Sequence, residues 1–323
     1  MPDLAYILSA SHSGSTLLAM LLGSHRDAVS VGELAPGSFG DFSQYRCSCR
    51  ALLLECPFWR RVATEMRARG TDFRLEEFGT SHHAIPGRWV RRLMRPLHRG
   101  PVLESLRDAA VSLCPAWRRE FPRRQVANRC LIEVIAGLTN RRVVVDSSKR
   151  AVRLKYLLRI PQLRVSVIRL IRDGRAVALT YMDPHRFADA GRPELRGGGS
   201  GANRNGECLT MEQAAREWRR SNEEAEHLLR TLPPSQWTAV RYEDLCADPS
   251  VTLHRLFVFL GLDPARSAPD FRSVEHHVLG NGMRLDESSH IRLDDRWTSH
   301  LTPDDVRRFD HVAGDLRKRY AYA

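Results

Sequence analysis

Short apolar segments alternate with helical patterns along much of the chain. Segments of strand length lie at residues 4–9, 28–31, 142–146, 164–171 and 237–241. Patterns typical of helices lie at residues 16–24, 149–161, 174–181, 210–230 and 249–261. Strands that alternate with helices are typical of a parallel sheet covered by helices. The pattern predicts one α/β domain over residues 1–323.

Three segments refine this prediction. Residues from about 45 to 140 are rich in Arg, Trp and Pro and lack β-branched runs, which predicts a mostly helical insertion. Residues from about 190 to 207 are rich in glycine and cannot fill a core, which predicts a mobile loop. Ser147 and Ser148 follow the third strand and are predicted to cap the next helix.

Composition limits the possible partners. The chain carries a net charge of +12, but only three of its 50 basic residues are lysines, and the arginines are scattered near acids. Aromatic residues make up 7%, and no basic segment carries stacking aromatics, so we predict no nucleic-acid partner. Apolar runs are too short to cross a bilayer, which predicts no membrane partner. The first residues lack a signal-peptide pattern, which favours the cytoplasm.

Seven cysteines are an odd number in a chain of 323 residues, which favours reduced thiols. Cys47, Cys49 and Cys56 offer three soft metal ligands, and His82 or His83 is a conceivable fourth. Their spacing matches no standard zinc pattern, so we predict that these cysteines pack in a helical core and bind no metal. The adjacent pair at residues 276–277 is interpreted as shaping a loop.

A small-residue loop links the first strand to the first helix. It consists of Ser11, His12, Ser13, Gly14, Ser15 and Thr16. Small residues at a helix N-terminus let backbone N–H groups approach a phosphate, although a plain strand–helix turn has the same appearance. The loop has no lysine of the Gly-Lys-Ser/Thr type, which disfavours a magnesium-dependent ATPase or kinase.

A second candidate phosphate site lies on the fourth strand and the helix after it. Arg172 ends the strand in the sequence Arg-Asp-Gly-Arg, and Thr180 follows eight residues later on the helix. A guanidinium and a hydroxyl at this spacing can converge on one phosphate. A surface ion pair between Arg172 and Asp173 is the alternative.

Together these motifs resemble sulfotransferases that use 3′-phosphoadenosine 5′-phosphosulfate (PAPS), especially the branch with tyrosylprotein and bacterial enzymes. The loop 12–16 is similar to the family's phosphosulfate loop, and Arg172 to Thr180 is similar to its 3′-phosphate motif. Residues 241–249 and 277–284 also resemble family segments. The resemblance implies a P-loop nucleotide-hydrolase-like sulfotransferase fold and PAPS as the co-substrate, with no metal required.

The resemblance also assigns roles to residues of this sequence. It implies that PAPS contacts the loop Ser11–Thr16, Ser147, Arg172, Thr180, Tyr242, Gly280, Asn281 and Arg284. Arg284 is expected in a loop that closes over the 3′-phosphate. Glu33 occupies the place of the catalytic base, and burial is expected to raise its pKa.

This sequence departs from the family pattern at the head of the phosphosulfate loop. His12 stands where the family has Lys or Arg, so a permanent cation is missing there. Lys149 is the lysine nearest to any motif and is a candidate to supply the charge, although an ungapped alignment places Ser147 at the corresponding position. His12, Glu33 and Lys149 are therefore the predicted catalytic residues.

These residues predict sulfuryl transfer from PAPS to a hydroxyl, or less favourably an amine, of a small-molecule or glycan-like acceptor, releasing adenosine 3′,5′-bisphosphate. The acceptor is expected to contact residues 45–140 and 183–210. A nucleotide-dependent phosphotransferase and a PAPS-binding protein without transfer activity are the alternatives. The acceptor's identity and the oligomeric state stay open.

Overall fold

A computed structural model describes residues 2–35, 42–95, 100–188 and 208–322. Its strands are β1 (Asp3–Ser9), β2 (Ala28–Ser30), β3 (Val143–Lys149), β4 (Arg164–Ile171) and β5 (Trp237–Arg241). Its α-helices are α1 (Ser15–Leu22), α2 (Pro57–Ala68), α3 (Arg88–Leu93), α4 (Gly100–Ser112), α5 (Pro115–Thr139), α6 (Ala151–Leu157), α7 (Gly174–Met182), α8 (Pro184–Phe187), α9 (Met211–Leu229), α10 (Tyr242–Ala247), α11 (Pro249–Phe259), α12 (Trp297–His300) and α13 (Pro303–Arg319).

The five strands form one parallel sheet in the order β2-β3-β1-β4-β5. This arrangement confirms the predicted parallel sheet flanked by helices. Each crossover returns the chain to the same edge, so the carboxyl ends of all five strands lie together. β1 occupies the centre, and the loop that follows it lies between the ends of β3 and β4.

Helices cover the sheet on both faces. On β1, Leu4, Tyr6 and Leu8 face a core that contains residues of α2, α5 and α6. Ala5 and Ile7 face the opposite way, into a core that contains residues of α1 and α11. Burial on both faces explains why β1 reads as a continuous apolar run in the sequence.

Helices account for most of the regular structure described between β2 and β3. This region contains α2 to α5 and two 3₁₀ turns, at Phe42–Gln44 and His82–Ala84. An isolated antiparallel bridge pairs Arg46 with Leu52. α2 packs against α5, which runs back toward the sheet. The glycine-rich loop predicted at about 190–207 lies outside the described residues.

The predicted helix cap at Ser147–Ser148 is wrong, because β3 continues to Lys149. Leu8 of β1 still pairs with Lys149, and the Asp146 carboxylate accepts hydrogen bonds from the N–H and hydroxyl of Ser148. Arg150 is the cap residue of α6. The extra strand residues carry the Lys149 side chain to the carboxyl edge of the sheet. Among the described helices, none has the length and apolar character needed to cross a membrane.

Candidate active site

A large cavity opens at the carboxyl edge of the sheet. Its volume is about 1880 Å³, and it is lined by residues from the ends of several strands. The loop after β1 contributes Ser11, His12, Gly14, Ser15 and Thr16, and the other strand ends contribute Glu33, Lys149, Arg172 and Tyr242. Thr180 and Asn281 also line it. The fold thus brings together predicted residues that are up to 270 positions apart in the sequence.

The loop after β1 depends on glycine at one position. Gly14 has φ of 87°, and a Cβ added there would lie 2.4 Å from the ring of Tyr242. Gly14 therefore allows both the left-handed backbone and the close approach of the aromatic ring. No side chain caps the start of α1, so its first N–H groups are available to an anion in the cavity. Ser13 is buried and contributes no lining atom.

Arg172 is held rigidly beside this loop. Its guanidinium donates to the carbonyl oxygen of His12 at 2.8 Å and to the Asp294 carboxylate at 2.9 Å, and it lies 4.6 Å from the centre of the Tyr242 ring. Burial raises the pKa of Asp294, but hydrogen bonds from Arg296 and Arg172 outweigh burial and hold that pKa well below its usual range. Asp294 therefore stays ionised and fixes the orientation of Arg172.

The rest of the Arg-Asp-Gly-Arg motif is structural. Arg175 binds Asp173 at 2.7 Å and lies over the ring of Trp297 at 4.0 Å. A Cβ added to Gly174 would lie 2.4 Å from Phe309, so only glycine fits at the start of α7. Thr180 on the same helix donates to the Ala176 carbonyl at 3.2 Å while lining the cavity. The motif thus locks α7 in place and presents Arg172 and Thr180 to one space.

Glu33 and Lys149 form an ion pair at the cavity wall. Lys149 Nζ lies 2.6 Å from Glu33 Oε1, and both side chains are about four-fifths buried. The Glu33 N–H donates to the Leu279 carbonyl at 3.1 Å, which fixes the backbone. A Cβ on Gly280 would lie 3.4 Å from Thr16 Oγ1 and 3.6 Å from Glu33 Oε1, so Gly280 sits between the loop and the carboxylate.

His12 enters the same region from the loop. It has φ of 61°, and its ring meets the ring of Tyr181 edge-on with the centres 4.9 Å apart. The left-handed backbone points the His12 carbonyl toward Arg172, which binds it. Both His12 and Lys149 line the cavity.

Four predicted ligands are not part of the cavity wall, namely Ser13, Gly280, Ser147 and Arg284. Ser147 is 1% exposed within β3, and its N–H donates to the Gly32 carbonyl at 2.9 Å. Arg284 is 2% exposed, and its guanidinium donates to the carbonyls of Arg46 and Gly280, the latter at 2.7 Å. Both support the backbone around Gly32 and Gly280 in this structure. Lys149 reaches the cavity where Ser147 does not.

The sequence interpretation missed a polar wall formed by α4, α6 and α9. Arg107, Lys155 and Arg220 line this side of the cavity with carboxylates that pair with them, namely Glu104, Asp108, Glu217 and Glu224. On α9, Glu217 lies three residues before Arg220 and Glu224 lies four residues after it, spacings that also occur on solvent-exposed helices. Only the packing of α9 over the sheet turns that face inward.

Comparison with known families places this site in context. Residues 5–266 match the model of the sulfotransferase family, so the chain belongs to that family. Membership supports sulfotransfer as its general activity. No protein of curated function matches the chain significantly.

Similar solved structures are also sulfotransferases. The sulfotransferase domain of the olefin synthase from Synechococcus PCC 7002 is 18% identical, with 97% of this chain and 95% of that one covered and a TM-score of 0.43. A sulfotransferase from Mycobacterium avium is 12% identical, with 98% and 76% covered and a TM-score of 0.47. A mouse sulfotransferase complexed with PAP is 14% identical, with 94% and 93% covered and a TM-score of 0.37.

Proposed function

We propose that this chain transfers the sulfuryl group of PAPS to a hydroxyl group of a small-molecule or glycan-like acceptor and releases adenosine 3′,5′-bisphosphate. The observation that carries the proposal is the convergence of the Ser11–Thr16 loop, Arg172 and the Glu33–Lys149 pair on one cavity. A cavity of about 1880 Å³ is larger than the roughly 300–1,000 Å³ of a pocket for one small ligand, which fits a donor and an acceptor bound together.

Each of the two phosphate-binding motifs binds a different phosphate of the donor. The N–H groups at the start of α1 bind the 5′-phosphosulfate, and Ser15 and Thr16 add hydroxyl donors. Arg172 and Thr180 bind the 3′-phosphate, where a charge-assisted bond from the guanidinium supplies most of the affinity. Tyr242 and Asn281 line the same part of the cavity and position the nucleotide.

Transfer needs a base that accepts the proton of the acceptor hydroxyl and a cation that stabilises the sulfuryl group as it is transferred. The acceptor oxygen attacks sulfur, its proton passes to Glu33, and the bond from sulfur to the bridging oxygen breaks. The electron pair of that bond stays on the 5′-phosphate oxygen of the released bisphosphate. Lys149 beside Glu33 stabilises negative charge on the transferring group, and His12 donates a hydrogen bond to the leaving oxygen.

The acceptor binds along the polar wall of α4, α6 and α9. Ion-paired arginines and carboxylates there offer many hydrogen-bond donors and acceptors. Burial raises the pKa of the Glu224 carboxyl, which faces this wall beside Arg220. Such a surface favours an acceptor with several hydroxyl groups over a purely apolar one.

Calorimetric titration tests the donor assignment directly. We expect adenosine 3′,5′-bisphosphate to bind without added metal and ATP with Mg²⁺ to bind far more weakly. A screen of phenolic and sugar hydroxyls with radiolabelled PAPS then tests transfer. Preference for ATP with Mg²⁺ would replace the proposal with a phosphotransferase, and bisphosphate binding without transfer to any acceptor would leave a binding protein.

A further inference from the structure

A second group of reactive side chains lies outside the cavity. Cys47, Cys49 and Cys56 meet His277 from a segment more than 200 residues later, and the four ligand atoms all lie within 4.8 Å of one another. Cys49 Sγ is 3.6 Å from Cys56 Sγ, and His277 Nδ1 is 3.7 Å from Cys47 Sγ and 3.5 Å from Cys56 Sγ. Cys47 and Cys56 are fully buried.

We propose that Cys47, Cys49, Cys56 and His277 bind one structural Zn²⁺ ion. Zinc in a tetrahedral site lies about 2.3 Å from thiolate sulfur and about 2.0–2.1 Å from imidazole nitrogen. These lengths place two sulfurs about 3.8 Å apart and a sulfur and a nitrogen about 3.5 Å apart. The Cys49–Cys56 and Cys56–His277 distances agree with these values, and all four ligand atoms lie within 4.8 Å of one another.

The imidazole of His277 is oriented as a ligand. Its Nδ1 faces the sulfurs, and its Nε2 lies 3.1 Å from the Glu275 carboxylate. A carboxylate on the far nitrogen fixes the ring and its tautomer at many metal sites. Phe58 stacks on the ring with centres 4.5 Å apart and planes 2° apart, which restricts rotation further. The ring is thus held from three sides.

A tight backbone turn brings Cys47 and Cys49 together. The Arg50 N–H donates to the Cys47 carbonyl at 2.8 Å, and the Cys47 N–H donates to the Ala51 carbonyl at 3.0 Å. A disulfide between Cys49 and Cys56 is the competing chemistry, and it would leave Cys47 with its contact to His277 Nδ1 at 3.7 Å. Four protein ligands fill a tetrahedral site, so this ion has a structural role and no open position for a substrate.

This arrangement corrects the sequence-based choice of a fourth ligand. His82 packs between Phe121 and Tyr156, with ring centres 5.6 Å and 4.9 Å away. His83 lines the cavity instead. The prediction that the cysteines only fill a core treated residues 47–56 in isolation, whereas the fourth ligand comes from residue 277.

The proposed ion joins two segments that border the active site. Ser48 already links them, since its hydroxyl donates to the His276 carbonyl at 2.6 Å and accepts from the Val278 N–H at 2.8 Å. Leu279, two residues after His277, pairs with the backbone of Val31 and Glu33. Zinc would therefore hold the segment that fixes Glu33, and this inference stands whether or not PAPS is the donor.

Metal analysis of the purified full chain tests the site. We expect one zinc per chain by plasma mass spectrometry, and loss of that zinc in Cys49→Ser and in His277→Gln. Cys130→Ser is the matched control, because Cys130 is a free, buried thiol of α5, outside the four-ligand group. Zinc bound equally by all three variants would overturn the assignment.

Binding of Co²⁺ to the unaltered chain tests the same site without requiring that any variant folds. We expect visible d–d bands of tetrahedral Co²⁺ and a near-ultraviolet thiolate-to-metal charge-transfer band, both displaced by Zn²⁺. A chain that, when reduced, binds neither metal would refute the proposal. A mass lower by two hydrogens per chain in the purified, metal-free protein would assign the cysteines to a disulfide instead.

Discussion

The reactive residues of the cavity are held by neighbours that restrict them. Lys149 has φ of 68° and ends a strand, which places its ammonium 2.6 Å from Glu33. Arg172 is fixed by a carboxylate and a carbonyl before any ligand arrives. Catalysis by positioning and charge depends on such fixed orientations, because little rotational freedom is left to lose on binding.

Replacement of the proposed base separates transfer from binding. In Glu33→Gln the carboxylate that accepts the proton is lost while the shape is kept, so we expect turnover to fall about 10²- to 10⁴-fold. Affinity for adenosine 3′,5′-bisphosphate should change little. Turnover is measured with the best acceptor of the screen, and affinity by calorimetry.

Glu65→Gln is the matched control for this prediction, since Glu65 is an exposed carboxylate on α2. It should leave both quantities unchanged. Normal turnover in Glu33→Gln would show that another group takes the proton.

Arg172→Ala tests the 3′-phosphate assignment. A hydrogen bond to a charged group contributes about 1.5–3 kcal/mol, so the affinity for adenosine 3′,5′-bisphosphate should fall about 10- to 100-fold. Adenosine 5′-phosphate lacks the 3′-phosphate, and its weaker binding should be insensitive to the change. An equal loss for both nucleotides in calorimetry would mean that Arg172 acts on the fold or on the 5′ side. Arg164→Ala, at the exposed opposite end of β4, is the control.

At the scale of the element, the decisive features are the places where a strand passes into a loop. Gly14→Ala introduces a Cβ at a positive φ and 2.4 Å from Tyr242. The left-handed backbone alone costs about 1–2 kcal/mol, and the clash adds to it. We expect nucleotide affinity to fall together with the thermal midpoint.

Gly70→Ala provides a matched control, because Gly70 has φ of 75° and no atom within 4 Å of an added Cβ. It should lower the thermal midpoint modestly and leave nucleotide affinity intact. If the two variants behaved alike, contact between the loop and Tyr242 would not matter for binding.

The sequence predicted the elements with strong periodicity better than their ends. β4 and β5 lie where their apolar runs predict them, since β4 is largely buried and β5 pairs with it along its whole length. β3 runs three residues further than predicted, because pairing with β1 and the Asp146 side chain outweighs the capping preference of two serines. Local propensity fails where tertiary contacts compete.

The site was predicted in the same uneven way. Motif residues beside the strand ends, such as Glu33 and Arg172, do meet in the cavity. Arg284 also lies in a segment that resembles the family pattern, yet its guanidinium is buried and donates to the Gly280 carbonyl. A single sequence does not reveal the direction in which the side chain of a loop arginine points. Lys149 pairs with Glu33, and His277 meets Cys47, Cys49 and Cys56. Both contacts join residues more than 100 positions apart, so no local sequence pattern predicts them.

At the scale of the whole molecule, many arginines are paired with carboxylates of the fold. Arginines of α9 pair with acids of the same helix and of α13, and buried arginines such as Arg153 and Arg317 have carboxylate partners. These pairs leave the net charge of +12 unchanged, and it is carried by the basic residues in excess of the acids. A net positive charge favours the approach of a polyanion such as the donor proposed above.

We expect acid sensitivity of the fold from two histidines, the buried His82 and the partly buried His83. Burial, reinforced by nearby arginines, lowers the pKa of His82 to about 3 and that of His83 to about 4, from an ordinary value of 6.5. Below pH 6.5 the unfolded chain binds protons at these positions and the folded chain does not. The free energy of unfolding should therefore fall as pH falls from 6.5 toward the folded values, by up to about 1.4 kcal/mol per pH unit for each histidine.

His82→Phe isolates this contribution, because a phenyl ring suits the aromatic contacts with Phe121 and Tyr156 and cannot be protonated. Urea unfolding between about pH 7 and about pH 4.5 should show a shallower loss of stability than in the unaltered chain. His254→Phe, at an exposed position of α11, should keep the original slope. An unchanged slope in His82→Phe would assign the acid sensitivity in this pH range to other groups, such as His83, whose pKa is also lowered by burial.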